Sequence, residues 1–394
     1  MSALLTGSKN IAIMGFSGSI NHSVVNLLPQ VAAELASEGF DDHDEIAVHV
    51  FTRDHSSSST ASLDSNPKVA IHFYPGYSMT DVTSEKKENT ERMLVLFKTL
   101  RISRVFLCLP QTLSSGEMIT VSNAFTDQIL IPSRTVKTVV RISSYGLDYD
   151  TPKQGPLALA HKSGEEYMRS MGFEITSIRP TSFFSNFIKY DVLSIMEHGE
   201  FSSPLGYNAT VNWIDNDDIA EVAARSLLDS NLDGKVLEIT GPDCNSFTAE
   251  HLRETISEVI GKRITYNEIP LPDFSEDYKE LWVYLRSNGF NAVTTTLKEV
   301  LRREGKRFRD MPILLRLAEQ EQLTSQLQER EQLTLEHESL KEENESLKEQ
   351  IEISEENKKT LKGLLNNASD AYQDSMDELD EIVEEFNKLN NLSK

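Results

Sequence analysis

The sequence predicts an α/β fold built on a parallel sheet covered on both faces, followed by a long α-helical coiled coil. Three observations carry this reading. Short apolar runs alternate with stretches of helical spacing through the first 314 residues. The first apolar run ends at a glycine-containing loop that opens a helix. After Leu314 the composition changes. All 13 prolines and 17 of the 18 glycines precede it, and the last 80 residues hold nine Lys/Arg against 21 Asp/Glu. Such a break marks a domain boundary, giving a globular unit over 1–314 and an acidic tail over 315–394.

The elements follow in order. Asn10 to Gly15 reads as a buried strand. Ser23 to Ser37 carries Val24, Leu27, Leu28, Val31, Ala32 and Leu35 at helical spacing, with Pro29 a local objection. Further strands are expected at Glu45–Thr52, Val69–Tyr74, Arg104–Leu109, Val136–Ile142 and Glu174–Ile178. Helices are expected at Glu85–Leu100, Gly116–Ile131, Leu157–Met171 and Ser185–His198. Strands alternating with helices argue a parallel sheet.

Composition bounds the function. The chain has 394 residues, 39% of them hydrophobic, enough for a sizeable core, so wholesale disorder is excluded. Its net charge of −23 repels phosphate backbones and argues against nucleic-acid binding. The two cysteines, Cys108 and Cys244, form no CxxC and suit a reducing compartment. No secretory signal is visible in Met1–Asn10, and no run of 18 apolar residues occurs. A cytoplasmic protein without a membrane span is expected. The nine histidines share no ligand spacing, so no metal site is expected.

The first strand–loop–helix is the most informative stretch. Gly15, Ser17, Gly18, Ser19, Ile20 and Asn21 occupy the place of a dinucleotide-binding loop. Small residues there let the backbone approach a pyrophosphate, and the helix N-terminus offers N–H donors. The third glycine of the usual pattern is absent, with Asn21 in its place; the alternative is an ordinary strand-to-helix turn. The second strand ends Phe51-Thr52-Arg53-Asp54. An arginine there accommodates the 2′-phosphate of NADP, whereas an acid would bind the NAD ribose. Arg53 comes first, so NADP is expected over NAD; the alternative is a solvated loop arginine. Ser143, at the C-terminal end of a strand, stands where open α/β sheets place ligands.

A family becomes visible further along. Val139-Val140-Arg141-Ile142-Ser143-Ser144-Tyr145-Gly146 resembles the fifth strand of an atypical short-chain dehydrogenase/reductase. His161-Lys162-Ser163-Gly164-Glu165 then leads to Gly172, Ile178-Arg179-Pro180 and Phe183-Phe184-Ser185-Asn186-Phe187. With Asp215-Asn216-Asp217-Asp218-Ile219-Ala220 and Ile239-Thr240-Gly241-Pro242, these segments resemble the NmrA-like family. The resemblance runs from roughly Asn10 to Leu314. It implies a Rossmann doubly wound parallel sheet binding NADP, or sometimes NAD, and a smaller C-terminal substrate subdomain, mainly from about residue 180. It implies either an NADPH-dependent reductase of quinones and similar electrophilic carbonyls, or a non-catalytic sensor of the NADP/NADPH state.

The resemblance also distributes roles. The register set by Gly172 puts His161 at the lysine position of Tyr-x-x-x-Lys and Leu157 at the tyrosine position, so the tyrosine is missing. His161 is left to bind the nicotinamide ribose or donate a proton, with Glu165 one turn on to orient it and Lys162 adjacent. The alternative for His161 and Glu165 is a surface helix pair. Pro110 and Gln111 would face the nicotinamide ribose. Pro180, Phe183 and Asn186 would border nicotinamide and substrate, although the aromatics there suit a core equally well.

The tail reads as heptads with d at Leu333, Leu340 and Leu347 and a at His337, Asn344 and Ile351. Asn at a specifies a two-stranded register, while Ser354, Lys358, Gly363 and Asn366-Asn367 weaken or break the pattern. A homodimer, or a partner protein held through this coiled coil, is expected.

Overall fold

The computed structural model describes residues 9–16, 18–38, 45–53, 66–84, 87–148, 154–271 and 276–353, and scattered helical positions between 369 and 385. Seven parallel strands form the main sheet: β1 (Lys9–Met14), β2 (Ile46–Thr52), β3 (Val69–Pro75), β4 (Arg104–Leu107), β5 (Thr138–Ile142), β6 (Glu174–Pro180) and, later in the chain, β10 (Val236–Ile239). Their order is β3-β2-β1-β4-β5-β6-β10. The expected strands are therefore present, each within two residues of its predicted ends.

Alternation along each strand sorts side chains to two faces. Ile11, Ile13, Val48, Val50, Phe106, Val140 and Ile142 point to one face, covered by the helices Ser19–Ser37 and Asn216–Leu228. Ala12, Met14, Phe51, Val105, Leu107 and Val139 point to the other, covered by Lys87–Thr99, Ser115–Phe125 and Pro156–Ser170. Val24, Val25, Leu28 and Val31 are at most 1% exposed, and burying each contributes about 2 kcal/mol. Pro29 sits inside the first helix without ending it. The predicted Gly116–Ile131 helix continues past Phe125 as a wider turn, Thr126–Leu130. The predicted Ser185–His198 helix is two, Phe184–Tyr190 and Val192–His198, meeting at Asp191.

Two small sheets build the second layer of the globular unit. β7 (Ser182–Phe183) pairs in parallel with β9 (Val211–Ile214), which pairs antiparallel with β11 (Ser246–Phe247). β8 (Glu200–Ser203) pairs with β12 (Thr265–Glu268). The buried Asn212 stitches this layer to the end of β10: Asn212 Oδ1 accepts from Gly241 N (2.8 Å) and Thr181 Oγ1 (3.1 Å). A Cβ at Gly241 would lie 1.9 Å from the Trp213 carbonyl oxygen, so only glycine fits there.

The chain divides into two compact units, Met1–Thr255 with Ile264–Met311, and Ile256–Arg263 with Pro312–Lys394. In the second unit one helix runs Pro312–Ile353. Its Leu333 and Leu340 are 37% and 42% exposed. On the same helix His337 stacks on Tyr372 of the later tail, and Leu379 there is 3% exposed. The predicted break at Gly363 and Asn366-Asn367 lies outside the described residues. No described helix is long and apolar enough to cross a membrane.

Candidate dinucleotide site at the C-terminal edge of the sheet

Strand order reverses between β1 and β4, which are neighbours in the sheet but distant in the chain. Ligands of open α/β sheets bind at that point, outside the carboxyl ends of the strands. Gly15 follows β1, Arg53 follows β2, Pro110 and Gln111 follow β4, and Ser143 follows β5. The structure brings these predicted residues to one edge.

Gly15 has φ +94°, a conformation that favours glycine, and its N–H donates to the Phe51 carbonyl (2.8 Å). Gly18 is the N-cap of the Ser19–Ser37 helix, and a Cβ added there meets nothing within 4 Å. No side chain caps this helix, and its first turn carries no acid. The first-turn N–H groups have no intrahelical acceptor and present a positive dipole end to the loop. Ser17 lies outside the described residues. Ser19 is exposed. Ile20 is 4% exposed and packs in the core, so only its main chain faces the loop. Asn21 turns inward: its amide donates to the Met14 (2.8 Å) and Gly15 (3.2 Å) carbonyls, while its buried Oδ1 has no partner among the described residues. In place of a third glycine the chain therefore has an asparagine that pins the loop.

Arg53 is exposed and makes no hydrogen bond or ion pair among the described residues. Pro110 is half-buried and Gln111 exposed, and the Gln111 carbonyl accepts from Tyr278 Oη (3.3 Å).

The catalytic assignment changes in three places. Glu165 is fully buried and does not charge His161. Its Oε1 accepts from Ser143 Oγ (2.6 Å) and Arg179 Nε (3.2 Å), and its Oε2 from Arg179 Nη2 (2.7 Å) and Arg169 Nη1 (3.1 Å). Burial alone would raise its pKa, but the bonds and charge of Arg179 and the Ser143 bond bring it down to about 2. Glu165 is thus an anchor, and the Ser143 hydroxyl proton is committed to it. Lys162 donates to the Leu147 carbonyl (3.1 Å) and ties down the loop after β5. His161 keeps its position on the helix, but burial and then the neighbouring Arg141 charge push its pKa down to about 3, against the pull of Glu165. It is neutral at physiological pH, able to hydrogen-bond and not to donate as an imidazolium. Its Nδ1 is buried without a partner among the described residues.

Pro180 is buried in β6, Phe183 packs half-buried against the core, and Asn186 is half-buried beside them. Asn216 was read in the sequence only as part of a helix start. Its amide donates to Ser185 Oγ (2.9 Å) and Ser19 Oγ (3.3 Å), and its Oδ1 accepts from Ser185 N (3.0 Å). It links the first turns of two helices at this edge. Arg141 was also missed, though an arginine inside the run Val139–Ile142 is itself a signal. It is 1% exposed, and it fits because a Cβ at Gly164 would lie 2.5 Å from its Nη1.

Comparison with known proteins supports the fold. Residues 154–291 match the NmrA-like family. Prestalk A differentiation protein A of Dictyostelium discoideum is 32% identical over 112 residues, 28% of this chain and 36% of that protein. A (4-alkanoyl-5-oxo-2,5-dihydrofuran-3-yl)methyl phosphate reductase of Streptomyces griseus is 22% identical over 187 residues, 44% of this chain and 64% of that one. The matches thus span less than two thirds of either relative. Among solved structures, the triphenylmethane reductase of Citrobacter sp. complexed with NADP(H) aligns at TM-score 0.58 and 15% identity, covering 78% of this chain and 99% of that one. An NADPH-dependent quinone oxidoreductase of Escherichia coli, complexed with NADPH, gives 0.56 and 18% over 76% and 97%. NmrA, a negative transcriptional regulator in complex with NAD, gives 0.52 and 15% over 77% and 94%. At these identities the likeness establishes the fold. The family match ends before the Pro312–Ile353 helix, so the tail lies outside it. Residues 154–291 carry an NmrA-like sequence, and they do so within a Rossmann-like parallel sheet.

Proposed function

We propose that the chain is an NADP(H)-binding protein of the NmrA-like family, and that it reduces a quinone or similar electrophilic carbonyl. The observation that carries the cofactor is the uncapped N-terminus of the Ser19–Ser37 helix beside the open space at Gly18, at the point where strand order reverses. Arg53, exposed and without a partner among the described residues, favours the 2′-phosphorylated form. Bound NADPH supplies the hydride. The first helical turn would hold its pyrophosphate, and Pro110 with Gln111 would border its ribose. His161 offers a neutral ring for a hydrogen bond. With Leu157 at the tyrosine position and a neutral ring at His161, the proton for a reduced carbonyl would come from solvent. Phe183 and Asn186 border the acceptor. Two solved relatives in fold are reductases complexed with NADP(H) or NADPH, which supports this reading.

The second reading is a sensor of the NADP/NADPH state that acts through its tail. Leu157 in place of the tyrosine and the commitment of Glu165 to Arg179 favour it, and a regulator shares the fold. NADPH consumption with a panel of quinones, run beside a binding titration, separates the two. Turnover establishes the reductase, and binding of NADP(H) without turnover on any acceptor establishes the sensor.

A further inference from the structure

β5 carries a cation into the interior. Side chains alternate along the strand, so Arg141 shares the face of Val139, which the Ser115–Phe125 and Pro156–Ser170 helices cover. Arg141 is 1% exposed. A Cβ at Gly164 would lie 2.5 Å from Arg141 Nη1 and 2.8 Å from Ser122 Oγ, so guanidinium and hydroxyl lie against the same point of the second helix. His161, one turn before Gly164, is near enough for the Arg141 charge to lower its pKa. Arg141 Nε and Nη1, Ser122 Oγ and His161 Nδ1 are all buried. None of these four atoms has a hydrogen-bond partner among the described residues.

Among the described residues the chain gives Arg141 no ion pair. The acid whose charge acts on it is Glu165, but the Glu165 oxygens are held by Ser143, Arg169 and Arg179. Asp148 and Glu238 pair with Arg179. Arg169 and Arg179 repel Arg141. Burial pushes the Cys108 thiol up to about 12, so it is neutral at physiological pH and supplies no counter-charge. Burial lowers the Arg141 pKa only to about 10, so the guanidinium stays charged. A buried cation with its N–H donors unpaired is strongly unfavourable, and what satisfies it is an acceptor that carries negative charge.

We propose that Arg141, Ser122 and His161 form a buried site for a small monovalent anion of the size of chloride. Arg141 supplies the charge and donates from Nε and Nη1, Ser122 donates from Oγ, and His161 donates from Nδ1 in that tautomer. One guanidinium balances one negative charge, which selects a monovalent anion over phosphate. The close packing of Gly164 on Arg141 and Ser122 selects a small one. The charged groups acting on the His161 ring are Arg141 from β5 and Glu165 from its own helix. An anion at Arg141 offsets the first of these and raises the affinity of His161 for a proton. Binding there requires neither a cofactor nor turnover.

The test titrates the full-length protein with chloride at constant ionic strength, gluconate making up the balance. The wild type should show a saturable rise in melting temperature. Arg141→Met keeps the length of the side chain without its charge and should lose that rise. Ser122→Ala should shift the midpoint to about tenfold higher chloride, as for one lost hydrogen bond. The His161 ring resonances should titrate at higher pH in chloride than in gluconate. Wild-type crystals soaked in bromide should show an anomalous scatterer within hydrogen-bond distance of Arg141 Nε or Nη1, a result that stands even if Arg141→Met does not fold. A melting temperature without saturable chloride dependence overturns the proposal, and so does a water molecule in place of bromide beside Arg141. A saturable rise that persists in Arg141→Met places the anion elsewhere and also overturns it. Bromide that appears only in molar soaks is an adventitious ion only, with the same consequence.

Discussion

Arg179 and Glu165 form an ion pair sealed inside the protein, with Arg179 Nη2 2.7 Å from Glu165 Oε2 and side-chain exposures of 2% and 0%. Ser143 and Arg169 complete the carboxylate, and Asp148 takes the outer face of the guanidinium at 2.8 Å. Both residues belong to motifs that invite a catalytic reading. The pair instead fixes β5, β6 and the Pro156–Ser170 helix to one another beneath the site.

Removing one partner of such a pair leaves a buried charge uncompensated, at a cost of about 3–5 kcal/mol. Glu165→Gln should lower the unfolding free energy in urea by that amount, and cofactor affinity measured on the folded fraction should change little. A loss below about 1 kcal/mol would show that Asp148, with Glu238 Oε1 3.7 Å from Arg179 Nη1, suffices for Arg179.

Two glycines should behave oppositely. Gly241→Ala forces a Cβ onto the Trp213 carbonyl at 1.9 Å and should prevent stable folding. Gly18 has ordinary backbone angles and open space, so Gly18→Val should fold with an unchanged circular dichroism spectrum and lose cofactor binding. Retained binding in Gly18→Val would place the dinucleotide elsewhere.

Acid should destabilise the fold before ordinary carboxylates titrate. Burial, and then the neighbouring His72, push the His49 pKa down to about 4, and His161 falls to about 3. Between those values and 6.5 the unfolded chain binds protons that the folded chain excludes, so stability rises with pH through this window and falls on acidification. The depressed Glu165 adds a second loss below 4.5, towards about 2. Urea unfolding at pH 7 and pH 5 should show the first effect. His49→Gln should reduce the slope between pH 4 and 6.5, and an identical slope would remove His49 as a source.

The sheet was legible because its strands are uninterrupted apolar runs and its helices keep a 3.6-residue period. The loop at Gly15–Gly18 was legible because its backbone demands leave few residue choices. The roles of Glu165, Lys162 and Ser143 were not. A helix spacing shows which residues share a face, but not that Arg179, from a strand 14 residues on, reaches back to claim the carboxylate. The bridging role of Asn216 was hidden for the same reason: its partners Ser19 and Ser185 are brought to it only by the sheet. In the tail the heptad pattern identified the helix and its leucines, but a period specifies an apolar stripe and not what covers it.

Arg53 should read the 2′-phosphate. Arg53→Ala should weaken NADPH by about 1–3 kcal/mol, the scale of a charge-assisted hydrogen bond, and leave NADH nearly unchanged. Equal weakening of both in a calorimetric titration would make Arg53 a bystander.

The central claim is that the uncapped helix after β1 holds a 2′-phosphorylated dinucleotide. Isothermal titration of the full-length protein with NADPH tests it most directly. One site per chain, with NADH at least tenfold weaker and both signals abolished in Gly18→Val, is the predicted result. No heat and no displacement of fluorescence on adding NADPH to folded wild-type protein would contradict it.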